Sequence, residues 1–270
     1  MKTKILMIAM VFSLAIVSCN KDNLMNSTIT SDDVTETSKL VAAGDDVTNL
    51  IEGQLSTADG ISGRGILDLP SCAVVTVTGL PATVGGTITK TIDFGNTGCT
   101  LNNGNTLKGK IIFSFLFQPN ATSHTINCSF DNFYHNGIKI EGTKTLTRTL
   151  TANGPVVNIA MDITATHPNG HVHHKVGTAT RTMTAGYTTP LNPLDNVYSI
   201  TGNWTNTSNS NTTSVNITSA LIVKLNCNHI VQGVISYVKG SNNATLDYGN
   251  GDCDNQAVFT LNGVVHNITL

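Results

Sequence analysis

The octapeptide HPNGHVHH, residues 167–174, carries four of the chain's eight histidines. Imidazole nitrogens are common ligands for zinc, so the shape of this turn decides whether the rings can converge. Asn169 and Gly170 alone would suggest a two-residue type I′ turn, but Pro168 would then have to donate an N–H it lacks. A type I turn with Pro168 at its second position and Gly170 as a left-handed bulge suits all three residues. In that register His167 faces His171, His173 follows on the same side, and His174 points away. His167, His171 and His173 are therefore the candidate zinc set, either of a metal-binding protein or of a metal-dependent hydrolase. Two considerations weigh against them. Hairpin tips are normally wet, and no nearby carboxylate is placed to orient the rings, Asp162 being expected on the opposite face. The sequence alone thus predicts an exposed polar tip first and a zinc site second.

A second ligand-bearing stretch is DYGNGDCDN, residues 247–255, where Asp247, Asn250, Asp252 and Asp254 could offer oxygens to calcium. An earlier copy of the motif, DFGNTGCTL at residues 93–101, keeps the aspartate as Asp93 and none of the other acids. What the copies share is turn chemistry: an aspartate bonding its own backbone beside a glycine that permits positive φ. No cofactor is expected beyond zinc or calcium.

Catalytic signatures are scarce. There is no G-x-S-x-G, no H-E-x-x-H and no phosphate-binding glycine loop followed by lysine. Glu141 is the only glutamate after residue 60, which leaves few candidates for paired-carboxylate chemistry. No catalytic residue is assigned, and a binding or structural role is expected ahead of an enzyme. Trp204, the single tryptophan, sits in NWTNTSNSN. That composition predicts a position in or beside a loop, where the indole could stack on a sugar ring.

The elements that must position these residues begin with a leader. Lys2 and Lys4 precede an apolar run from Ile5 to Val17, too short to span a bilayer and shaped like a cleavable signal. It ends in Ile16, Val17, Ser18 and Cys19, which resembles the bacterial lipobox and implies lipidation of Cys19. Acyl chains bury methylenes at about 0.8 kcal/mol each, so two or three chains would anchor the protein firmly. Cleavage before Cys19 removes two lysines and no acid, taking the net charge from -2 to about -4. Neither nucleic acid nor an anionic surface is an expected partner. Asn20 to Asn23 lack an aspartate directly after Cys19. By resemblance to lipoprotein sorting this implies the outer membrane, on its periplasmic or its surface face.

Residues 1–18 are thus read as signal and 19–35 as lipidated cysteine and flexible tether. Residues 36–59 are read as a short helical segment, clearest from Asp45 to Leu55, and 60–270 as one all-β domain. In the last, Ile88, Ile92 and Phe94 share a strand face, as do Ile111, Phe113, Phe115 and Phe117, and Val157, Ile159, Met161 and Ile163. One buried and one wet face per strand predicts an antiparallel meander in a sandwich or strongly curved sheet. Asn262–Gly263 marks a tight hairpin. TIDFGNTGC at 91–99 recurs as TLDYGNGDC at 245–253, each following another cysteine at nearly equal distance with a glycine turn midway. Folding back at those glycines pairs Cys72 with Cys99 and Cys227 with Cys253, each bridge worth about 3–4 kcal/mol, and leaves Cys128 as an apolar filler.

The lipobox, the paired D-[FY]-G-N-x-x-C hairpins, YSITG at 198–202 and the closing NGVVHNITL together resemble uncharacterised Bacteroidetes-type cell-envelope lipoproteins. The resemblance implies an architecture and a location and carries no activity. The expectation is a lipid-anchored, non-catalytic binding or structural module contacting glycan or an envelope protein.

Overall fold

The computed structural model describes residues 28–55, 69–189, 191–209 and 211–270. The signal segment, Cys19, the first part of the tether and residues 56–68 lie outside the described residues.

Thr30 and Asp33 start the one α-helix among the described residues, α1, Ser31–Leu55. The Asp33 amide donates to Thr30 Oγ1 at 3.1 Å and the Thr30 amide to Asp33 Oδ2 at 2.9 Å, a reciprocal capping box that satisfies amides the first turn leaves free. The helix therefore begins ahead of the 36–59 span expected from hydrophobic spacing, and residues 31–35 belong to it rather than to the tether.

The strands follow in chain order: β1 Val74–Thr78, β2 Thr87–Asp93, β3 Cys99–Thr100, β4 Thr106–Leu116, β5 Ser123–His135, β6 Ile138–Thr151 and β7 Gly154–Thr166. After the histidine turn come β8 Val172–Ala185, β9 Val197–Ser208, β10 Asn211–Lys224, β11 Ile230–Lys239, β12 Asn242–Asn250, β13 Gln256–Leu261 and β14 Val264–Thr269. Each pairs antiparallel with its neighbour in one 14-stranded meander, β3 lying off the path against β4, and the sheet does not close.

The alternation read from the sequence becomes one continuous inner face. Ile111, Phe113 and Phe115 of β4 and Val157, Ile159 and Ile163 of β7 are buried, Met161 is partly buried on the same inner face, and the alternate residues face outward; Phe117 lies just past the end of β4, packed against the core. Leu40, Val47, Leu50 and Ile51 of α1 pack against the inner face of β2 to β7. Ile29, before the helix, joins Val34 and Val41 against β9 to β13. Both halves of the sheet thus grip the same helix from different sides, so the fold is a strongly curved single sheet around α1 and not a two-sheet sandwich. β-bulges help to impose the curvature. At Gly109, φ is 79° and the β4–β5 register shifts; a Cβ there would lie 1.9 Å from the Asn132 carbonyl oxygen, so no other residue fits.

Cys72 and Cys99 are bonded, as are Cys227 and Cys253, and Cys128 is a buried free thiol. The repeated aspartates make the expected turn: the Gly95 amide donates to Asp93 Oδ1 and the Gly249 amide to Asp247 Oδ1, both at 2.9 Å. Asn262–Gly263 forms its hairpin with both residues at positive φ.

Candidate metal centre

The turn between β7 and β8 has the anticipated geometry. The Gly170 amide donates to the His167 carbonyl at 2.9 Å, the His167 amide to the His171 carbonyl at 2.9 Å, and Gly170 has φ 84°. His167, His171 and His173 converge, with ring centroids 4.4 to 6.4 Å apart. His174 points outward to Asp162, Nε2 to Oδ1 2.7 Å.

The expected exposure of the tip is corrected. His167 is 6% exposed and His173 5%, because α1 lies over the inner face of the hairpin. The helix also supplies the carboxylate that local sequence lacked. Glu36 Oε2 is 2.5 Å from His173 Nε2 and 3.2 Å from His171 Nδ1, and Oε1 is 3.7 Å from His167 Nδ1. Glu36, His167 and His173 offer ligand atoms all within 4.8 Å of one another, the one such trio among the described residues. His171 stands beside them, its Nε2 2.8 Å from Ser208 Oγ at the end of β9, a contact that turns Nδ1 toward Glu36. His167 Nε2 is buried without a hydrogen-bond partner. Burial lowers the pKa of His167; Glu36 opposes that shift, and His173, His171 and Lys39 reinforce it. The neutral imidazole that results is the form that binds metal.

The position of Glu36 follows from how α1 is held along its length. Arg181 of β8 donates from Nε to Asp45 Oδ1 and from Nη1 to Glu52 Oε2, both at 2.7 Å, and from Nη2 to Asn49. Arg148 of β6 reaches Glu52 at 3.3 Å. Lys144 donates to the Gly44 carbonyl and to Thr48 Oγ1, and Lys90 to the Gln54 carbonyl. A charged sheet interior therefore clamps an acidic helix, and breaking any fully buried member would strand its partner. Lys175, next inward from His173 on β8, differs: it has no hydrogen bond or ion pair among the described residues. Its ammonium lies 4.0 Å from the Trp204 ring centroid beside an apolar cavity of about 60 Å³, and burial lowers its pKa to about 7.

Two other candidates are corrected. Trp204 lies within β9, not a loop, and is 4% exposed, so its ring packs in the core and offers no platform to a sugar. Asp247, Asp252 and Asp254 do not gather into a ligand set: Asp247 and Asp254 each accept a turn amide, from Gly249 and Gln256, at 2.9 Å. The residue that sequence reasoning missed is Glu36. Its signal was the capping box, which places it inside the helix.

No family model, no curated protein and no solved structure matches this chain. Its fold and site therefore define it only as an open, curved antiparallel sheet wrapped around a helix, with a histidine–glutamate cluster where the two meet.

Proposed function

We propose that this chain is a lipid-anchored cell-envelope protein that binds a divalent transition metal, zinc foremost, through Glu36, His167 and His173 with His171 alongside. The observation that carries this is a helix carboxylate facing three imidazoles in a largely buried cluster, where one His167 nitrogen has no partner. Imidazole nitrogens with one carboxylate suit zinc and its neighbours; calcium prefers an all-oxygen set. Three imidazoles and a carboxylate can fill a tetrahedral shell. That favours a structural or sequestering role over catalysis, which needs an open position. The bound ion would join α1 to the β7–β8 hairpin and stabilise the fold by mass action.

The envelope location rests on the leader and lipobox around Cys19, and the two disulfides suit an oxidising compartment. Contacts with glycan or an envelope protein at the outer membrane belong to the same proposal.

Isothermal titration of the chelator-treated protein with zinc, paired with thermal unfolding, tests the metal. Saturable binding and a raised melting temperature are expected, both lost in Glu36→Ala and His173→Ala. Heat-neutral titration with no thermal shift overturns the assignment. Labelled palmitate incorporation that persists in Cys19→Ala would overturn the anchor.

A further inference from the structure

The curled sheet leaves a second concavity, about 400 Å³ in volume, with α1 as its floor. It opens beside Asp46, some ten residues along the helix from Glu36 or about 15 Å at helical rise, and shares no residue with the metal centre.

Three separated segments form its walls: Leu101–Asn105 between β3 and β4, Leu191–Leu194 between β8 and β9, and Leu225–Ile230, running from the end of β10 into the first residue of β11. The first follows directly on Cys99, bonded to Cys72; the third contains Cys227, bonded to Cys253. Each of the two look-alike disulfide elements therefore anchors one wall of the same cleft. Walls fixed before a ligand arrives lose little entropy on binding, which is the arrangement expected of a preformed site.

Both acids of the floor already have partners. Asp45 is paired with Arg181. Asp46 accepts from Asn103 Nδ2 at 2.8 Å and Asn105 Nδ2 at 2.7 Å, and His135 Nε2 lies 2.8 Å from it. An anionic ligand would thus face two carboxylates, and a cationic one would have to displace the partners they already hold. At the rim the side chains of Asn102, Asn192, Asn228 and His229 make no hydrogen bond among the described residues. A carboxamide both donates and accepts, as a hydroxyl does, so these groups match hydroxyls in either sense. A lipid tail would leave them unpaired at a cost. Between them Leu101, Leu194, Leu225 and Ile230 give an apolar shelf suited to the C–H face of a sugar ring.

We infer that this cleft binds a neutral saccharide of one or two rings, held by the rim carboxamides and laid on the leucine shelf. The volume lies within the range of small-ligand sites.

The test presents the full chain with immobilised neutral saccharides: glucose, galactose, mannose, N-acetylglucosamine and their β-linked disaccharides. Binding to at least one is expected, and titration calorimetry should show it weakened about tenfold or more in Asn102→Ala and Asn228→Ala, equivalent to about 1.4 kcal/mol. His173→Ala should bind the same sugar unchanged, and cleavage of both disulfides should weaken it. Both asparagines are exposed, so these variants should fold. No binding across the panel, or binding indifferent to both asparagine substitutions, overturns the inference.

Discussion

Glu36 and His173 are 137 residues apart in the chain, yet the carboxylate Oε2 of one lies 2.5 Å from Nε2 of the other. The contact joins the second turn of α1 to the inner face of β8, and Ser208 steadies the neighbouring His171. Outer contacts of this kind typically change metal affinity by about 10- to 100-fold. Ser208→Ala is therefore expected to weaken zinc binding by about tenfold while leaving the site intact. Competition against a chromophoric chelator measures it, and equal affinities would show that Ser208 has no part in orienting the ring.

Arg181 is 1% exposed and serves both Asp45 and Glu52. Arg181→Met leaves those acids with an unmatched burial cost, and a loss of about 3–5 kcal/mol in urea unfolding is expected. Arg181→Lys should recover only part of this, because a single ammonium cannot reproduce the planar fork. Full recovery by lysine would mean that charge alone matters here.

Lys175 makes the opposite prediction. Its pKa is lowered from 10.5 to about 7 by burial, with Lys144 adding to the shift. Between those two values the unfolded chain holds the proton more strongly than the native one, so stability rises with pH across that window, and the penalty is complete below pH 7. Lys175→Met should stabilise the protein by about 1–4 kcal/mol at pH 6. That advantage should fade at higher pH, where wild type recovers up to about 1.4 kcal/mol per unit. Denaturant melts at pH 6 and pH 9 check it; a pH-independent difference contradicts it.

Cys128 is 1% exposed, and burial pushes its thiol up to about 12. With Cys19 replaced by alanine, the native protein should not react with a disulfide-exchange reagent at pH 8, and denaturation without reductant should reveal one reactive thiol. Removing the Cys72–Cys99 bridge by double serine substitution should cost about 2–4 kcal/mol. Rapid native labelling, or more than one thiol after unfolding, would reject the pairing.

What the sequence disclosed was local. Strand faces, the Asn262–Gly263 hairpin, the cysteine pairs and the bond pattern of the histidine turn each follow from spacing within one hairpin or from comparing two copies of a motif. What stayed hidden was supplied from far along the chain. The histidine turn is buried because α1 covers it, and hydrophobic spacing placed the helix start too late to include all of its first turns. Trp204 looked like a loop residue because its neighbours are Asn, Thr and Ser. Those neighbours include outward residues of a strand whose inward positions carry Trp204 and the buried Asn206. The cleft beside Asp46 draws on three loops that no single motif connects.

Without α1, the inner face would be a trough lined by Lys90, Lys144, Arg148, Lys175 and Arg181, with no buried acid of the strands to match them among the described residues. The helix acts as the trough's built-in counter-ion as well as its apolar filling. A shortened protein starting at residue 69 would have walls that repel one another, so the strands depend on the segment that precedes them.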